Sequence, residues 1–103
     1  MRNEVVVEGT LARDPVERVL GSGEELWQLQ VMVPRVSGPG ADWIECSVRE
    51  GRLRRTVARW SEGDLVRIEG HLRRRFFRTA GATRSVLEVN ASAGRLVRRR
   101  ADA

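Results

Sequence analysis

The sequence has 103 residues and a formal net charge of +5, and all 19 of its basic residues are arginine. A chain of this length forms one domain around one small core. Its single cysteine excludes an internal disulfide, and its apolar runs are too short to span a membrane. The N-terminus carries acid where a signal peptide would be apolar, so we expect a soluble, cytoplasmic protein.

The excess of arginine predicts a polyanionic partner. Arginine makes planar, bidentate contacts to phosphate and also stacks on bases. An acidic lipid surface would attract a basic protein too, but the sequence has no basic amphipathic helix and no lipidation signal. We therefore expect no membrane partner, although composition alone does not identify the polyanion.

Strands are predicted throughout the first third of the chain. Residues 4–11 alternate apolar and polar side chains, and Pro15 ends the strand because proline lacks an amide donor. A short strand over residues 16–20 continues it. The next strand, over residues 26–33, places Trp27 on one face with three aliphatic side chains, which favours burial of Trp27 over base stacking.

The strand predicted over residues 42–49 has two different faces. Cys46 lies among aliphatic side chains and is interpreted as a small core residue. A metal-binding or reactive thiol would need partners, and the sequence has one histidine and no second cysteine. Trp43 instead shares its face with polar side chains, among them Arg49, so we expect Trp43 to be exposed.

One short helix is predicted, over residues 51–60. Leu53, Val57 and Trp60 recur at helical spacing and form its apolar side. A helix this short needs a sheet beneath it, so Trp60 is predicted to fill the core. The arginines on its other side are interpreted as a solvated face, with contact to nucleic acid as the alternative.

The stretch from Leu65 to Arg78 has one apolar and one basic face. Its even positions through Leu72 are apolar or small and should pack. The other face carries Arg67, Glu69, His71, Arg73, Arg75 and Phe77. Such a face suits an anionic polymer with stackable bases, whereas an ordinary solvated face is the alternative reading. Phe76 has the opposite parity and is expected to pack, and His71 to hydrogen-bond or stack rather than catalyse.

The end of the chain completes a hairpin. Residues 79–83 form the turn, and the returning strand over 84–91 should point Leu87 and Val89 inward. Residues 94–97 add a last short pairing.

The order of these elements predicts an all-β OB-fold. This is a five-stranded antiparallel barrel with one short helix between its third and fourth strands. We assign residues 1–97 to this domain and residues 98–103 to a disordered, basic C-terminal end. No nucleophile, metal-ligand or cofactor constellation is apparent in the sequence, so we expect no catalytic residues, no metal, no cofactor and no enzyme activity.

Several segments together resemble bacterial single-stranded-DNA-binding proteins, the SSB family. In chain order they are Asn3-x-Val5-x-Val7-x-Gly9-x-Leu11-x-x-Asp14-Pro15-x-x-Arg18, Gly21-Ser22-Gly23, Trp43, Gly63-Asp64-Leu65-Val66, Glu69-Gly70-x-Leu72-x-x-Arg75-x-Phe77 and Glu88-Val89. The resemblance extends over residues 3–97. It implies an OB-fold homo-oligomer, a tetramer or a dimer, that binds and protects single-stranded DNA without sequence preference in replication, repair or recombination. That role would place the protein at the nucleoid.

The resemblance also assigns the site residues. Trp43 and Phe77 match the base-stacking aromatics of the family, and Arg73 and Arg75 match basic positions along the DNA path. Arg49 stands where the family commonly has an aromatic, so one stacking platform is replaced by a charge. The predicted nucleic-acid contacts are Trp43, Arg49, Arg73, Arg75, Phe77, Arg35, Arg67, His71 and Arg84.

The resemblance leaves the cellular role open. The loop over residues 34–40 is short and lacks an aromatic, and the sequence shows no glycine-rich linker or acidic tail of the kind that recruits enzymes in this family. We therefore expect no such recruitment. The alternatives are a dimeric OB protein of the primosomal, replication-restart type and an accessory subunit that joins a full-length SSB through its Glu4–Gly9 strand.

Overall fold

The computed structural model describes residues 1–101, and the last two residues of the sequence lie outside that range. The elements are β1 (Val5–Leu11), β2 (Val16–Val19), β3 (Glu25–Pro34), β4 (Ala41–Val48), α1 (Gly51–Val57), β5 (Leu65–Thr79) and β6 (Ala82–Arg98). Within the described range, no helical segment has the length and apolar character that a bilayer crossing requires.

The strands close into a barrel. Hydrogen-bonded neighbours follow the order β1-β5-β6-β4-β3-β2, and β1 also pairs with β3 at Thr10 and Leu11, which closes the sheet. β4 and β6 pair in parallel over three residues, a detail that the sequence pattern did not predict. Parallel pairing is possible there because α1 and β5 provide the long crossover between the two strands. The predicted OB-fold is confirmed.

Aliphatic side chains fill the barrel, and α1 covers one end of it. The buried cluster consists of Leu11, Leu29, Val31, Cys46, Val48, Leu53, Val57, Trp60, Val66, Ile68, Val89 and Ala91. Trp60 follows α1 and is 4% exposed, as predicted for a residue that fills the core. Glu50 caps α1 by accepting hydrogen bonds from the backbone N–H groups of Arg52 and Leu53, which lower the pKa of the Glu50 carboxyl.

Cys46 and Trp27 pack as the strand pattern predicted. Burial, reinforced by the charges of Glu45 and Glu88, raises the pKa of the Cys46 thiol to about 12. The thiolate needed for metal binding or nucleophilic chemistry is therefore strongly disfavoured. Trp27 is half-buried and packs against the core cluster.

β5 and β6 extend beyond the barrel as a two-stranded hairpin. The pairing of β5 with β1 ends at Gly70, and the pairing of β6 with β4 begins at Val89. Residues 73–79 and 82–88 pair only with each other, and we call them the ribbon. At its base, a Cβ atom on Gly70 would overlap the carbonyl oxygen of Asn90, so only glycine fits there.

Three residues in or beside the ribbon were predicted to pack but are exposed. Phe76 is 67% exposed and Leu87 is 49% exposed, although both were expected to point inward. Leu72, at the base of the ribbon, is 41% exposed. All three side chains lie on the face that continues the barrel interior, but past Gly70 no barrel remains beneath them.

The basic C-terminal end is attached to the barrel as far as Arg100. Arg98 ends β6, the Arg100 backbone N–H donates to Asp64 Oδ1 at 2.8 Å, and the Arg99 guanidinium donates to Asp64 Oδ2 at 3.4 Å. Burial opposes ionisation of Asp64, but the hydrogen bonds from the Arg100 and Ser61 backbone N–H groups and the nearby arginines hold its pKa below the usual range. Residues 98–100 thus contact the barrel, and residues 102–103 of the predicted disordered end lie outside the described residues.

Candidate nucleic-acid interface

Three strands contribute alternate side chains to one exterior surface, which we call the outer face. Ser47 of β4 lies opposite Asn90 of β6, and Asn90 lies opposite His71 of β5. Cross-strand partners project to the same side of a sheet, and residues two apart in a strand share a face. The outer face therefore consists of Trp43, Glu45 and Ser47 from β4, of Arg84, Val86, Glu88 and Asn90 from β6, and of His71, Arg73, Arg75 and Phe77 from β5.

An exposed aromatic ring lies near each end of the outer face. Trp43, near the start of β4, is 59% exposed, whereas the core-facing Ile44 beside it packs against the buried cluster. Phe77, in the ribbon, is 38% exposed. The guanidinium carbon of Arg75 lies 5.5 Å from the centre of the Phe77 ring, within the range of a cation–π contact. Both rings can accept a flat, stackable group.

A buried carboxylate organises the centre of the outer face. The Glu88 side chain is only 1% exposed and lies 3.7 Å from Arg49 Nη2 and 3.5 Å from Arg75 Nε. Within the described part of the chain, Glu88 Oε1 makes these ion pairs but has no hydrogen bond of normal geometry. Removing either guanidinium would leave part of a buried charge uncompensated, so Glu88 fixes the positions of both arginines.

Arg49 is bound on several sides. Its Nε donates to Glu24 Oε1 at 2.9 Å, and its Nη1 donates to Ser47 Oγ at 2.7 Å and to Asn90 Oδ1 at 2.5 Å. The side chain is 17% exposed. Because two carboxylates already neutralise Arg49, its geometry favours a positioning role over direct capture of a phosphate.

Arg73 and Arg84, unlike Arg49, are available to contact an anion. Both are exposed on the outer face, and neither forms an ion pair with any described residue. Arg73 lies directly opposite Glu88, and Arg84 lies directly opposite Phe77. Arg73 therefore places a positive charge across from the buried carboxylate, and Arg84 places one across from the ribbon aromatic.

The remaining predicted contacts lie at the margins of this surface. Arg35 is in the loop between β3 and β4 and forms an exposed ion pair with Asp42, next to Trp43, at 3.1 Å. Arg67 lies towards β1, where it pairs with Glu69 at 3.2 Å and Glu8 at 3.9 Å. The structure thus places six of the nine predicted residues on the outer face, Arg49 directly after β4 and beside Glu88 at its centre, and Arg35 and Arg67 at its margins.

Sequence reasoning missed the burial of Glu88 and the exposure of Phe76. Alternation put Glu88 on the outer face correctly, but nothing local in the sequence shows that Arg49 and Arg75 enclose it. Phe76 lies on the reverse side of the ribbon, opposite Ser85. Two adjacent phenylalanines near the end of a long strand cannot both face one core, and this is the sequence signal from which the exposure of Phe76 could have been predicted.

The amino-acid sequence matches one protein family and a curated relative. The family model described as "Single-strand binding protein family" matches residues 2–97. The chain is similar to a curated protein of Treponema pallidum (strain Nichols) described as "Single-stranded DNA-binding protein", with 30% identity over 96 residues. That alignment covers 87% of this chain and 54% of the relative, so the chain spans about half the length of the curated relative.

The fold also matches a solved structure. The chain superposes on a structure described as "Plasmodium falciparum SSB complex with ssDNA", with a TM-score of 0.76, and 95% of each chain is covered. The two sequences are 16% identical, so this likeness supports the fold.

Proposed function

Because the chain belongs to the single-strand binding protein family, we propose that it binds single-stranded DNA along the outer face, without sequence preference. One observation carries this proposal. Two exposed aromatics, Trp43 and Phe77, and two guanidinium groups without ion-pair partners among the described residues, Arg73 and Arg84, share one continuous surface. Bases stack on the rings while the arginines neutralise phosphates, and neither contact reads sequence.

The arginines of the outer face divide into two roles. Arg73 and Arg84 contact phosphate because no carboxylate competes for them within the described residues. Arg75 holds the Phe77 ring and pairs with Glu88, so it supports the stacking platform more than it captures charge. Arg49 keeps Glu88 neutralised from the other side.

The geometry favours single strands over duplex. An α-helix that reads the bases of a duplex must enter the major groove. The helix α1 has seven residues, and it turns Leu53 and Val57 into the barrel. Flat aromatic platforms, in contrast, require bases that are free to unstack from their neighbours. We infer a role in protecting single-stranded DNA at the nucleoid during replication, repair or recombination.

Trp43 supplies the test of this function. Oligo-dT should quench the intrinsic fluorescence, and a duplex of equal length should compete poorly for the same site. Trp43→Phe should remove most of the quenching while keeping a ring, whereas the control Trp27→Phe should keep it because Trp27 packs against the core. Trp43→Ala should weaken binding by about 1–3 kcal/mol. Equal competition by duplex, or full quenching in Trp43→Phe, would show that the outer face does not stack bases.

We also propose that the protein is a homo-oligomer that associates through β1. One edge of β1 pairs with β5 along Val5–Thr10, but the other edge pairs with β3 only at Thr10 and Leu11. Val6 is 53% exposed on this strand. An open strand edge is a ready template for pairing with a second copy. Light scattering with and without DNA distinguishes a tetramer from the dimer of a replication-restart protein, and a monomer under both conditions would contradict the proposal.

A further inference from the structure

A second basic surface lies at the helical end of the barrel, away from the ribbon. Arginines of α1 and of the turn after it surround a cleft of about 360 Å³ together with the arginine that directly follows β6. The lining residues of this helix cleft are Arg52, Arg55, Thr56, Arg59, Trp60 and Arg99. The outer face includes none of them.

Most of the charge in the helix cleft is uncompensated. Of the residues that the structure describes, none forms an ion pair with Arg52, Arg55 or Arg59. Arg54, on another side of the same helix, pairs with Glu25 at 3.1 Å. Neighbouring guanidinium groups repel one another, so an anion between them would relieve that repulsion.

Stabilisation of the helix does not account for this arrangement. Positive charge is favourable at the C-terminal end of a helix, which suits Arg55. Arg52 lies in the first turn, where the helix dipole disfavours a cation. Glu50 offsets this in part, since Arg52 and Arg55 contribute to lowering its pKa, but this one exposed carboxylate is shared between two arginines.

The fourth arginine is held in place. Arg99 Nη1 donates to the backbone carbonyl oxygen of Arg59 at 3.1 Å and to Asp64 Oδ2 at 3.4 Å. Asp64 is 1% exposed and is also bound by the backbone N–H of Arg100. These contacts fix one wall of the helix cleft against the turn that follows α1. Such preorganisation lowers the entropic cost of binding a ligand there.

The lining favours a phosphodiester over an acidic peptide. A peptide partner usually inserts an apolar anchor into a pocket. The one aromatic of the helix cleft, Trp60, is 4% exposed and belongs to the barrel core, so it leaves no apolar pocket for an anchor. Guanidinium groups alone suffice for phosphate, which they bind in a bidentate manner.

We propose that the helix cleft binds the phosphodiester backbone of the single-stranded DNA that leaves the outer face, as a second site without base stacking. The proposal rests on the function proposed above. Arg49 belongs to the network at the centre of the outer face, and Arg52 begins the row of arginines on α1. Three peptide units separate them, so their Cα atoms are at most about 11 Å apart. A strand that passes Arg49 can therefore continue along α1.

The test uses two oligonucleotides and two triple variants. The cleft variant combines Arg52→Ala, Arg55→Ala and Arg59→Ala, which removes the three arginines of the helix cleft that have no ion pair among the described residues. Arg2→Ala, Arg13→Ala and Arg95→Ala remove the same net charge from exposed positions outside the cleft and the outer face. One oligo-dT of about 8 nucleotides fills a single OB fold, and another about three times as long can reach beyond it. Thermal melts establish that both variants remain folded.

The cleft variant should bind the short oligonucleotide as the control does. For the long oligonucleotide, the slope of log affinity against log salt concentration should be flatter by about 2 in the cleft variant. Each of the three lost phosphate contacts to a single strand contributes about 0.7 to that slope. At about 0.1 M salt this change of slope corresponds to a loss of affinity on the order of 100-fold, which the control variant should not show.

Three outcomes would overturn the inference. Equal losses in the two triple variants would mean that only net charge matters. Loss of short-oligonucleotide binding in the cleft variant alone would make the helix cleft part of the primary site. Retention of both DNA affinities with loss of binding to polyglutamate would assign the helix cleft to an acidic peptide. Failure of the wild-type protein to bind either oligonucleotide would contradict the proposed function itself.

Discussion

β5 and β6 pass through two different environments, and the same alternating pattern has a different outcome in each. Inside the barrel, Val66 and Ile68 are completely buried. On the same face of β5, beyond Gly70, Leu72 and Phe76 are exposed because, in the part of the chain that the structure describes, no third strand and no core lie beneath the ribbon. Alternation specifies which residues share a face, but burial of that face depends on what packs against it.

The largest contrast should appear in stability. Ile68→Ala removes side-chain volume from the closed barrel and should lower the free energy of unfolding by about 2–5 kcal/mol. Leu72→Ala, four positions further along the same face, should change it by less than about 1 kcal/mol because Leu72 is already 41% exposed. Urea denaturation measures both. A Leu72→Ala variant as unstable as Ile68→Ala would mean that the ribbon packs against something in solution.

The two faces of the ribbon should differ in DNA affinity. Phe77→Ala should weaken oligo-dT binding by about 1–3 kcal/mol, because Phe77 lies on the outer face beside Arg75. Phe76→Ala should leave binding nearly unchanged, although Phe76 is the more exposed ring. Titrations at one fixed salt concentration compare the two. Equal losses would show that DNA contacts both faces of the ribbon.

The smallest contrast concerns two arginines on one strand. Arg73→Ala should flatten the slope of log affinity against log salt concentration for single-stranded DNA by about 0.7, because Arg73 has no ion-pair partner among the described residues. Arg75→Ala should lower affinity with a smaller change of slope, since Glu88 already neutralises Arg75. The double variant should weaken binding further. An unchanged slope in Arg73→Ala would remove this residue from the set of phosphate contacts.

The sequence predicted the faces of strands well. Trp43 points outward and Cys46 is buried, because a period of two is imposed by strand geometry itself. The position of α1 between β4 and β5 followed from a short apolar repeat at helical spacing. These features depend on residues that are close in the chain, which is why a single sequence sufficed.

Contacts between distant segments were not predictable in this way. The sequence presents Arg49 as a free charge, but the fold surrounds it with Glu24, Ser47, Glu88 and Asn90, three of which come from distant parts of the chain. The end of three-stranded pairing at Gly70 likewise depends on the length of β1. The assignment of individual residues to DNA contacts stays a prediction.

We expect the ribbon to act as a lever arm. The nine residues from His71 to Thr79 extend for about 30 Å at the usual rise of a strand. A two-stranded ribbon bends more easily than a barrel wall, and its base contains both Gly70 and the register shift between β5 and β6. A bend of about 10° at the base would displace the tip by about 5 Å, since the displacement is the arm length times the angle. Phe77, near the tip, would then travel with the ribbon while Trp43 stayed fixed on the barrel. We therefore expect the distance between the two rings to be adjustable, which would let one protein match the uneven base spacing of a flexible strand.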